Sequence, residues 1–318
     1  MKVTSSPELA ELRRKFRIFY QQELKAFFAP MEAERQKYLR RFWTLFIISS
    51  IALPAIIVLS VLHFISIDSL PGRNETEFFL ISLAILAAVC SAPIISYKKH
   101  VKGNVMEKMV QFFGDFSYLH ENKIDWDILE KSRLFLKPSS YDGDDYFYGK
   151  YKGIGITISE EKHEKRQGKS TYTTFRGIII LLDMDKRFEG KTIVRKKRPL
   201  FLNQLHRPAK KRTVKLEDPE FNKRFAVFSN DQVEARYLLT TAFMERMLKV
   251  RDAFGAKSIE FSFFDNRLLI KVPTRKDMFE ASSLFTSATD YNRIERAFDQ
   301  FCSVFSIVDM LKLSRRAN

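Results

Sequence analysis

Two uncharged apolar runs constrain this chain more than any other feature. The first, "FWTLFIISSIALPAIIVLSVLHFI" (Phe42 to Ile65), contains no Asp, Glu, Lys or Arg. At a helical rise of about 1.5 Å per residue it exceeds a hydrocarbon core of about 30 Å. The second, "FFLISLAILAAVCSAPIISY" (Phe78 to Tyr97), is just long enough to cross. Two buried core helices would also be apolar, and a signal peptide would resemble the first run. A signal peptide, however, puts its apolar stretch close to the N-terminus, and here a long polar, charged segment comes first. Pro54 and Pro93 would break soluble helices but are tolerated as kinks in a membrane. The reading is a two-span membrane hairpin.

The flanks orient it. Lys37, Arg40 and Arg41 precede the first span, and Lys98, Lys99 and Lys102 follow the second. The loop between carries Asp68, Glu75 and Glu77 against Arg73 alone. The positive-inside rule puts both termini in the cytoplasm. The expected order is an N-terminal amphipathic cytoplasmic helix (1–41), transmembrane helices at 42–65 and 78–97, an external loop (66–77) and a cytoplasmic α+β domain (98–318). The expected fold class is thus a membrane α-hairpin plus an antiparallel sheet packed by helices, located in a bacterial inner membrane. "NET" at Asn74 matches a glycosylation sequon, a weak three-residue signal.

In the N-terminal segment, Ser6-Pro7-Glu8 has the grammar of a helix start. Leu9, Leu12, Phe16, Tyr20, Leu24 and Phe27 follow at helical spacing, beside Arg13, Arg14, Lys15 and Arg17. Such a helix either lies on the anionic membrane surface or packs on the cytoplasmic domain, and the apolar stripe favours packing.

In the C-terminal part, helical pieces are expected around Val105 to Leu119 and at "DWDILEKSRLFL". "DDYFYGKYKGIGITISEE" reads as two strands joined by a tight turn; Gly149, Gly153 and Gly155 lack the spacing of a dinucleotide fingerprint. "KHEKRQGKS" reads as a polar loop. "TYTTFRGIIILLDMD" reads as a buried strand, "GKTIVRKK" and "RFAVFS" as further strands, and "KSIEFSFFDNRLLIKVP" as two strands around Asp265-Asn266. A last helix carries Tyr291, Ile294, Phe298, Phe301, Phe305, Val308 and Leu311 on one face.

Charge supplies one candidate surface. The 318 residues carry 54 Lys+Arg against 38 Asp+Glu, a net charge of +16. Lys186 to Lys215 holds twelve Lys or Arg and one acid, Glu189. A solvated face is the default for such a run. Beside an anionic leaflet, Lys196, Lys197, Arg198, Lys210, Lys211 and Arg212 are the candidate lipid contacts. No nucleic-acid reader motif accompanies them, so nucleic acid is not an expected partner.

A second candidate is the polar cluster Glu217, Asp218, Asp231, Glu234 and Arg236 in "LEDPEFNKRFAVFSNDQVEARYLLT". Asp218-Pro219-Glu220 reads as a capped helix start, and Ser229 three residues before Gln232 as a capping box. Thr240 or Thr241 opens "AFMERMLKVRDAFG", which Gly255 ends. These residues have structural work to do, and they are also the best candidates if the chain is an unrecognised enzyme.

This stretch, with "YDGDDYFYGKYKGIGITISE", "FRGIIILLDMDKRFEGKTIV", "IEFSFFDNRLLIKVP" and "DMFEASSLF", resembles the bacterial domain-of-unknown-function family three-one-three-seven, over roughly residues 37 to 285. The family often has proline where Thr241 stands, and F-E-P-S where this chain reads "FEAS" at Phe279 to Ser282. The resemblance implies a membrane-anchored protein without an assigned activity, often encoded near LemA-type membrane proteins, which makes such a protein a candidate partner.

Motifs for chemistry are sparse. His63, His100, His120, His163 and His206 show no metal-ligand spacing, and Asp142, Asp144 and Asp145 of "YDGDD" lack calcium-loop order and read as a solvated turn. No nucleophile elbow or phosphate loop is present. Cys90 and Cys302, the only two cysteines, imply no disulfide framework. The expectation is a non-enzymatic scaffold or adaptor with no catalytic, cofactor or metal site; the alternative is a ligand-binding or lipid-sensing domain. Self-association is left open.

Overall fold

The computed structural model describes residues 7–67, 73–197, 212–254, 258–275, 277–280, 283–311 and 313. The chain divides into two compact units, one of residues 1–16, 106–279 and 295–318, the other of residues 17–105 and 280–294.

Helices form the second unit. Helix α1 (Pro7–Phe19) passes through a π turn at Tyr20–Leu24 into α2 (Lys25–Ile67), and α3 spans Arg73–Val110. The chain enters this unit at Arg17 within α1 and leaves it at Val105 within α3. The amphipathic and apolar segments expected as separate helices are one helical run. Pro30 and Pro54 lie inside α2, and Pro93 inside α3. Phe16, Tyr20, Leu24 and Phe28 are buried, whereas Phe27 is 36% exposed. The expected stripe therefore slips by one residue at its end. The wide π turn accommodates one extra residue, so the buried position after Leu24 falls four residues on rather than three. Ser6 lies outside the described residues; Pro7 opens the helix.

Two stretches, Ala10–Leu59 and Leu80–Tyr97, are long and apolar enough to cross a membrane. In their most apolar 18-residue segments only 6% and 11% of the residues are buried. Trp43, Ile47, Ile51, Leu80, Ile85 and Ile95 are all exposed. Within this unit Tyr20 donates its hydroxyl hydrogen to the Thr289 carbonyl at 2.6 Å, and Arg35 donates to the Leu284 carbonyl at 2.7 Å.

The first unit is built on a nine-stranded sheet among the described residues, antiparallel throughout. Its strands are β1 (Phe116–His120), β2 (Ser140–Tyr151), β3 (Ile154–Gln167), β4 (Ser170–Asp183), β5 (Thr192–Lys196), β6 (Arg212–Val214), β7 (Phe225–Ser229), β8 (Glu260–Phe264) and β9 (Arg267–Pro273). Their order is β1-β2-β3-β4-β9-β8-β5-β7-β6. The α+β class with an antiparallel sheet is as expected from the sequence. Lys152 (φ 50) and Gly153 (φ 77) make the tight β2–β3 turn, which needs positive φ at both positions. Asp265 (φ 49) and Asn266 (φ 57) do the same between β8 and β9.

Two expected boundaries move. "KHEKRQGKS" is not a loop: β3 continues to Gln167, which pairs with Ser170. Its charged residues Lys162, Glu164, Lys165 and Arg166 are partly or fully exposed along a paired strand, so polarity there marks a solvated hairpin rather than missing secondary structure. The expected helix at 105–119 stops at Val110, turns through Gly114 (φ 91) and becomes β1.

Each face of the sheet has its cover. Helix α4 (Trp126–Ser132) ends at Arg133, a left-handed cap with φ 59. It lies over a core that includes Ile124, Leu129, Phe175, Ile179, Ile193 and Leu269. The other face meets the last helix, α8 (Tyr291–Leu311), where Phe301 packs on Phe147 at 4.6 Å and on Phe279 at 4.5 Å. Between β6 and β8 the chain forms α5 (Pro219–Arg224), α6 (Gln232–Leu238) and α7 (Thr241–Phe254). Gly255 lies outside the described residues.

Candidate functional site

Period-two alternation decides which residues of β3 turn inward toward α4. Ser159, Glu161 and His163 do so, and all three are buried. His163 Nε2 lies 2.7 Å from Glu161 Oε2. Glu161 Oε1 accepts the Ser159 hydroxyl at 2.8 Å and the Ile124 N–H at 2.9 Å. An ionised Glu161 is acceptor-only, so Nε2 carries the proton in this pair. Four rings surround the imidazole: Phe135 at 5.1 Å, Phe175 at 5.2 Å, Tyr141 at 5.4 Å and Trp126 at 6.3 Å. His163 Nδ1 is buried without a hydrogen-bond partner among the described residues. A buried polar atom left in that state costs about 1–3 kcal/mol.

His163 lines a cleft of about 230 Å³ beside the end of the α4 segment. Leu134, Phe135, Leu136, Phe175 and Phe228 supply its apolar wall. Arg195, Lys196, Lys271 and one acid, Glu260, supply its charge. Lys271 donates to the Leu134 carbonyl at 3.0 Å and to Glu260 Oε2 at 3.3 Å. Its ammonium also lies 4.9 Å from the Phe135 ring centroid and 5.4 Å from that of Phe175. The Arg195 guanidinium donates to the Arg133 carbonyl. Cation and aromatic surface are therefore contiguous, an arrangement suited to an anionic head on an apolar body.

The six basic residues expected at a lipid surface are only partly placed. Lys196 and Lys197 are exposed at the end of β5, and Arg212 is exposed on β6; Arg198, Lys210 and Lys211 lie outside the described residues. Lys196 also lines the cleft. Lys197 donates to the Asn222 carbonyl at 2.7 Å.

The polar cluster does local structural work. Asp218 caps α5 by accepting the Phe221 N–H at 3.0 Å. Asp231 caps α6 by accepting the N–H groups of Val233 at 2.8 Å and Glu234 at 2.9 Å. The capping box expected from Ser229 does not form: Ser229 belongs to β7 and accepts the Asp231 N–H at 3.1 Å. Asp231 takes the cap because Ser229 is still the last residue of the strand. Glu234 accepts the N–H groups of Glu189 at 2.8 Å and Gly190 at 2.6 Å, and a side chain at Gly190 would collide with that carboxylate. Glu217 and Arg236 are exposed, and Arg236 forms no ion pair among the described residues.

Asp144 and Asp145 do not sit in a solvated turn. They belong to β2, where the register shifts between Gly143 and Tyr146. The irregularity turns Asp145 inward to full burial, where Oδ1 accepts the Tyr118 hydroxyl at 2.8 Å. With His120 the two aspartates offer ligand atoms all within 4.8 Å of one another. Among the described residues this is the group of ligand-type side chains gathered closely enough to meet one ion, and the Tyr118 hydroxyl already lies 2.8 Å from Asp145 Oδ1 and 3.3 Å from His120 Nδ1.

The fold and cleft define an α+β sheet domain with a basic, aromatic-walled recess. Residues 173–313 match the model of a family described as "Protein of unknown function (DUF3137)". The match starts in β4 and takes in α8, whereas the motif resemblance begins further toward the N-terminus. No curated protein matches the chain. Among solved structures, the crystal structure of the mycobacterial trehalose monomycolate transport factor A, TtfA, is similar at 14% identity, over 68% of this chain and 99% of its own, with a TM-score of 0.34. At that score the likeness carries no argument.

Proposed function

We propose that the chain is a two-pass inner-membrane protein whose sheet domain faces the cytoplasm and serves as a non-enzymatic scaffold or adaptor, with a LemA-type membrane protein as a candidate partner. The observation that carries the membrane reading is the exposure of the two apolar stretches, whose most apolar segments are only 6% and 11% buried. A soluble core helix hides such a face, and a contiguous apolar surface of this length in water is an interaction site or an aggregation hazard. Basic flanks at Lys37, Arg40, Arg41, Lys98, Lys99 and Lys102 favour cytoplasmic termini. The adaptor reading is supported by Asp218, Asp231 and Glu234 of the polar cluster, which are occupied in caps and loop contacts.

Cysteine labelling in intact cells tests it. In a chain with Cys90 and Cys302 replaced by Ala, Ser69→Cys reacts with a membrane-impermeant reagent from outside, and Lys2→Cys does not. The opposite pattern overturns the orientation, and release of the protein by alkaline carbonate overturns the anchoring. Mild-detergent purification read by mass spectrometry then names the partner; recovery of the chain without a stoichiometric companion counts against the adaptor reading.

A further inference from the structure

We propose that the cleft beside α4 binds a small organic anion with an apolar body, an aryl or short acyl carboxylate. Charge comes first: the polar wall holds Lys271, Arg195 and Lys196 against Glu260, which already accepts from Lys271 at 3.3 Å. The Lys271 and Glu260 side chains are only 15% and 13% exposed, so an anion beside them meets a partly desolvated cation. Apolar surface comes second: the Lys271 ammonium sits within 5.4 Å of both the Phe135 and the Phe175 ring centroids, so a ligand's head and body are recognised side by side. A bare phosphate would leave those rings unused.

The third observation is His163, fully buried and lining the same cleft, with Nδ1 unpartnered among the described residues while Glu161 holds Nε2. Glu161 fixes the orientation of that ring, so Nδ1 presents one polar position in an otherwise aromatic wall. Size comes last. At about 230 Å³ the cleft has room for a single ring bearing a carboxylate. The inference rests on the cleft alone and is independent of membrane anchoring.

The test uses the full chain in mild detergent. Trp43 and Trp126 are the only tryptophans, and the Trp126 ring lies 6.3 Å from that of His163. Trp43→Phe therefore leaves one reporter beside the cleft. Phenylacetate is expected to change Trp126 fluorescence saturably, with empty micelles as the blank. Phenylacetamide, which lacks the charge, and acetate, which lacks the ring, are expected to bind about tenfold more weakly or worse. Lys271→Gln is expected to weaken phenylacetate by about tenfold. Because Lys271 also holds the Leu134 carbonyl, Leu136→Trp serves as the second variant. Leu136 is 65% exposed at the cleft wall, so the larger side chain obstructs entry without entering the core. The proposal is overturned if phenylacetate gives no saturable change, if the amide binds as well as the acid, if inorganic phosphate displaces phenylacetate at equal concentration, or if folded Leu136→Trp binds like the parent.

Discussion

Glu161 and His163 project from the same face of β3, both side chains wholly buried, with Oε2 and Nε2 2.7 Å apart. The other carboxylate oxygen collects the Ser159 hydroxyl and the Ile124 N–H, so one side chain joins the sheet to the segment leading into α4. Removing it leaves an imidazole, a hydroxyl and an amide without a buried acceptor. Glu161→Ala is expected to destabilise the sheet domain by roughly 3 kcal/mol, and Glu161→Gln, which keeps one acceptor oxygen, by less. Thermal unfolding of the full chain in detergent measures both. Small and equal losses would show that the cluster contributes little.

Phe16 stacks on Phe298 with ring centroids 3.9 Å apart and meets the edge of Phe112 at 5.3 Å. Arg13 adds a two-toothed pair with Asp299 at 2.8 and 2.9 Å. These contacts hold the start of α1 on protein rather than on a bilayer. Phe16→Ala is expected to cost about 3 kcal/mol and to open the N-terminal segment to protease. Phe28→Ala should also be costly, and Phe27→Ala should stay within about 1 kcal/mol, since only Phe28 is buried. Equal sensitivity at 27 and 28 would contradict the register set by the π turn.

The caps give a contrast within the polar cluster. Asp231→Ala removes the acceptor for two helix N–H groups and is expected to cost about 1 kcal/mol. Arg236→Ala removes an exposed side chain and is expected to change stability by no more than about 0.5 kcal/mol. Denaturant or thermal midpoints compare the two; a larger loss at Arg236 would mean that the cluster works as a paired site.

How far the sequence reaches is set by how local each feature is. The hairpin turns at Lys152-Gly153 and Asp265-Asn266 were legible because Gly153, Asp265 and Asn266 tolerate positive φ. The helix starts at Asp218 and Thr240 were legible because capping is written within a few positions: Thr240 Oγ1 accepts the Phe243 N–H at 3.3 Å. The cleft was not. His163 comes from β3, Lys271 from β9, Glu260 from β8 and Arg195 from β5, and the pairings β4–β9 and β8–β5 join strands distant in the chain. His163 was also hidden by its neighbours: Lys162 points outward beside it and gives the segment the look of a solvated run. The one local signal was Glu161 two residues before it, on the same face of a strand.

Glu32 supplies a pH dependence in the helical unit. Arg35 donates to both of its oxygens, at 2.6 and 2.9 Å, and Ala288 N–H and Ser287 hydroxyl add further bonds at 2.8 and 3.0 Å. The Arg35 hydrogen bonds, working against partial burial and aided by Ala288 and Ser287, lower the carboxyl from its ordinary 4.5 to about 2. A folded-state value below the unfolded one stabilises the fold fully above about pH 4.5, and the contribution fades as pH falls toward about 2. Its size is about 2 kcal/mol once solvent screening is allowed for. Between about pH 5 and pH 3 the parent chain should therefore lose more thermal stability than Glu32→Gln, which cannot titrate there. Arg35→Gln should flatten the same slope while leaving the carboxyl in place. If the parent and both variants keep parallel midpoints over that range, Glu32 does not hold the 284–288 loop through its charge.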